Sequence, residues 1–134
     1  MRDRALHFFS EGELRTHVAQ MARCVDAVHR EGYLHNELMP WNFCLNGSSK
    51  NDRKKATIIG LSRATQIGNL EWVQAFLQGL SYDELVFKSP EVLQLQADKV
   101  GPPSDVYTLG VTLYTLAYNK RPFNTVEEVL NGAL

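Results

Sequence analysis

The stretch "YLHNELMPWNFCL", residues 33–45, decides how the rest of the chain is read. It carries His35, an acid at Glu37, Pro40, and Asn42 five positions after the acid. A proline amid such polar side chains reads as a loop, and the question is what chemistry its residues can still do.

Outward from that loop, the chain falls into elements. On its N-terminal side, Ser10 is followed three residues later by Glu13, a capping box, with Phe9 and Leu14 placed as a hydrophobic staple. Leu14, Val18, Met21, Val25 and Val28 step by three and four, one apolar stripe of a helix, and Gly32 suits the position just past its end. The spacing therefore predicts a long amphipathic helix over 11–31 that feeds directly into the loop. On the other side, "NFCL" and "ATII" flank the polar tract "NGSSKNDRKK", residues 46–55, and read as a hairpin around a solvated turn.

Residues 61–104 are irregular, punctuated by Gly68, Gly79, Gly101, Pro102 and Pro103. "LEWVQAFLQGL" reads as a short helix ended by Gly79, and a second helix is expected after Pro90 through "EVLQLQA". In "SDVYTLGVTLYTLAYNKRPF" the residues Val106, Leu109, Val111, Leu113, Leu116 and Ala117 fall on all sides of a helix, which predicts a buried central helix over 105–118. Ser104 or Asp105 caps it and Pro122 marks its stop. Asn124 or Thr125 then opens a last short helix, "VEEVLNGAL".

The gross numbers narrow the function class. A length of 134 residues suits one domain at most and suffices for a core without metal or disulfide staples. With 44% apolar and 22% charged residues the composition is that of an ordinary globular protein. A net charge of −1 gives no electrostatic case for nucleic acid or an anionic membrane. Cys24 and Cys44 form neither a CxxC pair nor a disulfide framework and are expected to be reduced thiols. No secretory signal and no membrane span is visible, so the expected compartment is the cytoplasm.

A long helix, a loop with His, acid, Pro and Asn, a strand pair, an irregular segment closing on Ser89-Pro90-Glu91 and a helix opening "SDVYTLG" together resemble the C-terminal lobe of a eukaryotic protein kinase. In that family the loop reads H-R-D-L-K-P-x-N, the metal motif D-F-G runs on as "DFGLSR", and the segment closes on A-P-E. Here the corresponding stretches are His35-Asn36-Glu37-Leu38-Met39-Pro40-Trp41-Asn42, "IIGLSR" at 58–63, and Ser89-Pro90-Glu91. The resemblance implies a mainly α (α+β) fold: long helix, catalytic-loop hairpin, activation segment and buried central helix, with 1–134 a partial kinase-like domain. It also implies that the upper lobe and the last helices of the lower one are absent, since no G-x-G-x-x-G spacing and no V-A-I-K-type strand occurs.

Phosphoryl transfer needs positioned metal ions, an acceptor for the attacking hydroxyl's proton and cations around the phosphates. By the resemblance, the metal-binding Asp is replaced by Ile58, which offers a hard cation no oxygen. The loop Lys is replaced by Met39, and the Arg that pairs with an activation-segment phosphate by Asn36. The catalytic Asp is replaced by Glu37, and a displacement of about an ångström from one extra methylene can cost roughly a hundredfold. Asn42, the second metal ligand, is kept. His35, Gly60, Glu91 and Asp105 take structural roles, Asp105 as acceptor of loop N–H groups, and Glu91 is expected to lack its Arg partner. Thr65, Ser81 and Tyr82 fall where phosphorylation would occur.

The expectation is a pseudokinase-type domain that binds neither ATP nor Mg²⁺ and acts through a protein partner or a larger kinase chain, with self-association also in view. The alternatives are a divergent serine/threonine kinase whose upper lobe lies in a longer or separate chain, and a non-functional truncated fragment. Met39 and Trp41 on the loop face, and the surroundings of Glu91 and Leu130, are expected to expose apolar surface.

Overall fold

The structure is a computed structural model and describes residues 11–46, 55–69 and 71–132. It is mainly helical. The first helix, α1 (Glu11–Arg30), buries Met21 and Val25 from its apolar stripe, and Glu11 and Glu13 in its first turn and His29 and Arg30 in its last complement the helix dipole. It ends at Gly32, whose φ of +88° is the left-handed turn that glycine adopts without strain. The capping box and staple at Ser10 and Phe9, and most of the polar turn at 46–55, lie outside the described residues.

Two small antiparallel pairs follow. β1 (Tyr33–Leu34) pairs with β4 (Thr65–Gln66), and β2 (Phe43–Asn46) pairs with β3 (Lys55–Ile58). Gln20 Oε1 accepts from Ala56 N at 2.7 Å, which ties the second pair to α1. Between and after them come 3₁₀ turns at Pro40–Asn42 and Leu61–Arg63. The segment from 71 to 100 holds three short helices, α2 (Val73–Gln78), α3 (Tyr82–Leu85) and α4 (Pro90–Leu93). The helix expected through "EVLQLQA" stops at Leu93, because Leu95 takes φ +58° and breaks the helical run.

The central helix α5 (Pro102–Tyr118) starts three residues earlier than the sequence spacing suggests, with proline at its first positions, where no N–H is needed. It separates two apolar clusters. Leu109, Leu113 and Leu116 face Met21, Val25, Leu38, Ala56, Phe43 and Ile58. Val111 and Tyr107 face Met39, Val86 and Phe87. The helix is not buried all round, however: Val106, Gly110, Ala117 and Tyr118 line a third, exposed face, and Val106 is 55% exposed. The last helix, α6 (Val126–Asn131), is capped by Thr125, whose hydroxyl accepts from Glu128 N at 3.1 Å.

Candidate functional site

The loop between β1 and β2 is held from below by one carboxylate. Asp105, in the first turn of α5 and buried, accepts from His35 N at 2.8 Å and Asn36 N at 3.0 Å. Its Oδ2 also accepts from His29 Nε2 at 2.8 Å, so the end of α1, the loop and α5 meet on one side chain. Two threonines of α5 reach the loop and the stretch before α4: Thr112 donates to Leu38 O at 2.6 Å and Thr108 to Phe87 O at 2.9 Å. A buried carboxylate that accepts several charge-assisted bonds fixes its donors more firmly than neutral pairs do.

Within the loop, His35 is fully buried. Its Nδ1 accepts from Glu37 N at 3.1 Å, which leaves Nε2 to donate to Ile59 O at 3.0 Å. That pattern fits the neutral ring. Burial lowers the imidazole pKa, against the pull of the Ile59 carbonyl and of Asp105. Asn36 sits at φ +69°, a conformation asparagine tolerates better than most residues. Its Nδ2 donates to Arg63 O at 2.8 Å and to Thr65 Oγ1 at 2.9 Å, and its own carbonyl accepts from Lys88 Nζ. Position 36 therefore ties the loop to the turn at 61–63.

The Glu37 carboxylate is paired with Arg63, at 3.3 Å, and is largely shielded. The same guanidinium Nη1 donates to Glu84 Oε2 at 2.7 Å. Arg63 therefore joins the loop to α3, whose start is a full capping box between Ser81 and Glu84. Burial pushes the Glu84 carboxyl up, but the bonds from Arg63 and Ser81 outweigh it and leave the pKa below its ordinary value. The bond to Glu84 in turn raises Arg63. Phe76 of α2 lies under both cations, 5.7 Å from Arg63 and 4.7 Å from Lys88.

Met39 corrects an expectation. Its side chain is completely buried, packed with Val86, Phe87 and Val111, because a thioether at this point of the loop has no polar group to keep it in solvent. Only Trp41 of that pair faces out, 52% exposed and edge-on to Phe87 at 5.9 Å. Asn42 is buried: its side-chain Nδ2 donates to Glu37 O at 2.7 Å, and its backbone carbonyl accepts from Ile59 N at 2.8 Å. Gly60 packs so closely that a Cβ there would stand 2.6 Å from Asn42 Oδ1.

Ile58 packs on the apolar cluster of α1 and α5. Glu91 accepts from Ser104 Oγ at 2.9 Å. Thr65 accepts from Asn36, Ser81 caps α3 and Tyr82 is exposed. Among the described residues no group of three His, Cys, Asp or Glu side chains is placed to hold a metal.

Sequence reasoning brings His35, Glu37, Asn42, Gly60 and Asp105 to one place, and the structure puts them there. It misses Arg63, Glu84, Phe76 and Lys88. Their contacts are long-range, and the one local signal is a lysine inside the apolar run "LVFKSP".

The comparisons with known proteins agree with this architecture. Calcium-dependent protein kinase 17 of Arabidopsis thaliana is 32% identical over 115 residues, covering 86% of this chain and 20% of its own length. Calcium-dependent protein kinase 6 of Oryza sativa subsp. japonica is 32% identical over 133 residues, 95% of this chain and 23% of its own. The probable serine/threonine-protein kinase KIN1 homolog of Enterocytozoon bieneusi is 32% identical over 117 residues, 87% of this chain and 18% of its own. The chain thus spans about a fifth of the length of these curated relatives. The family described as "Protein kinase domain" matches residues 2–132, every residue that builds the loop, the segment and α5 included, and the chain belongs to that family.

Proposed function

We propose that this chain is a kinase-like lobe without phosphotransfer of its own, acting through contacts with protein. The carrying observation is the state of the loop's chemical positions. Ile58, partly buried, packs against the core where a metal ligand would stand, and Met39 is buried where a cation would stand. The donor set that remains, Asn42 and an Arg-paired Glu37, does not fit a hard divalent cation, which takes six or more oxygen ligands. We place the chain in the cytoplasm on its two free thiols; among the described residues no helix is long and apolar enough to cross a membrane.

A second reading, a divergent serine/threonine kinase completed by other chain segments, is favoured by the retained carboxylate of Glu37 and by relatives that are calcium-dependent and serine/threonine protein kinases.

Calorimetric titration with ATP and Mg²⁺ tests the proposal. No measurable heat of binding is expected, and Asn42→Ala should leave that result unchanged. A dissociation constant in the micromolar range would overturn it in favour of the second reading.

A further inference from the structure

Lys88 lies between Phe87 and Ser89, just ahead of α4, and its side chain is buried, 4% exposed. An ammonium group has three donors. Among the described residues its one oxygen partner is Asn36 O, and the ring of Phe76 covers it at 4.7 Å. The space beside it, lined by Asn36, Trp72, Phe76 and Asp105, amounts to about 10 Å³, the lower limit for a single water.

The charges that face it are already engaged. Asp105 of α5 accepts from two backbone N–H groups and from His29 of α1. Glu37 of the loop and Glu84 of α3 are both paired with Arg63, itself a like charge. His35, the remaining titratable neighbour, is held by Ile59. Lys88 is thus a cation withdrawn from water with no ion-pair partner among the described residues; the face of Phe76 and the Asn36 carbonyl return part of that cost, and loss of hydration remains the largest influence on its proton.

What keeps water away is the aromatic pair of the activation segment, Phe76 of α2 with Trp72 against it at 5.1 Å. Lifting that pair would hydrate the ammonium. We propose that Lys88 is a proton-operated brake on closure of the activation segment: while protonated it weakens the seating of Trp72 and Phe76 on the loop, and loss of its proton tightens that seating. The direction follows from burial. Burial brings the pKa down from 10.5 to about 8, with Asp105 and Glu37 pulling it back up. A folded value below the unfolded one means that the full penalty is present below about pH 8. It is relieved as pH rises from there toward 10.5.

The test uses the whole 134-residue chain. Urea unfolding is followed from pH 7 to pH 9.5 for the wild type and Lys88→Met, and acrylamide quenching of Trp72 is read in a Trp41→Phe background. The folding constant of the wild type should rise roughly thirtyfold relative to Lys88→Met over that range, from a shift between 10.5 and about 8. Quenching of Trp72 should fall in parallel. At pH 7 Lys88→Met should be at least as stable as the wild type, with Trp72 already shielded. Parallel pH profiles for the two proteins, or a Lys88→Met chain that is less stable at pH 7 or fails to fold, would overturn the proposal.

Discussion

Asp105 does more for the loop than any residue in it. Its two oxygens accept from two consecutive backbone amides and from the imidazole of His29, with the carboxylate itself buried. Removing it leaves two buried N–H groups and a ring nitrogen without an acceptor. Asp105→Ala should therefore lose about 3–5 kcal/mol of unfolding free energy, from buried donors that each cost about 1–3 kcal/mol when left unsatisfied. Asp105→Asn, which keeps one acceptor oxygen, should lose less. Urea denaturation of the three proteins checks this, and a loss under about 1 kcal/mol for the alanine variant would contradict it. At this scale, legibility follows sequence distance. Asp105 is readable as an acid opening a helix, and the loop residues are readable from their mutual spacing. Arg63 and Lys88 are not, because what defines them, Glu84 and the Asn36 carbonyl, lies 21 and 52 residues away. Met39 shows the opposite failure: its place on the loop face that an upper lobe would cover suggests exposure, and packing against Val86 and Val111 decides otherwise.

Among the elements, α1, the β2–β3 hairpin and α5 are legible because each is long enough to show a period or is bracketed by a polar turn. The β1–β4 pair has two residues per strand and no period to read. The helix α3 is one turn long, and its capping box at Ser81 and Glu84 is the sole mark it leaves in the sequence. For α5 the sequence period gives the helix but not its exposed side, which only the placement of the two clusters fixes. The two kinds of face predict opposite outcomes. Leu109→Asp puts an unpaired charge among Met21, Val25 and Leu38, and should unfold a domain whose whole margin is about 5–15 kcal/mol. Val106→Lys, on the exposed side, should change stability by no more than about 0.5 kcal/mol. Thermal melts of the two variants compare them directly, and similar melting temperatures would mean that α5 is not central.

For the molecule as a whole, the order of motifs along the chain reveals the family, while the distribution of apolar surface does not follow from it. The exposed apolar side chains include Tyr33, Ile59, Leu61 and Ile67, and an apolar cavity of about 400 Å³ opens between α1 and the turn at 61–63, lined by Ala27, Val28, Tyr33 and Leu61. Leu130 on α6 and Trp41 on the loop add further exposed area. Apolar patches beyond a few hundred Å² are uncommon on soluble monomers, and a net charge of −1 supplies little repulsion between copies. The purified chain should therefore self-associate. Its sedimentation coefficient should rise with concentration, and a dye sensitive to apolar surface should brighten in its presence. A monomer at all concentrations, silent toward the dye and melting sharply, would refute this.

The bonds that position the loop fall mostly on its main chain: the amides of His35, Asn36 and Glu37 and the carbonyls of Asn36, Glu37 and Leu38. Amides and carbonyls are the same in nearly every residue. Exchanging the exposed side chain of Trp41 thus rewrites what the loop displays while its path stays put. That position forms a natural grafting platform, on which recognition chemistry can be varied over one constant backbone.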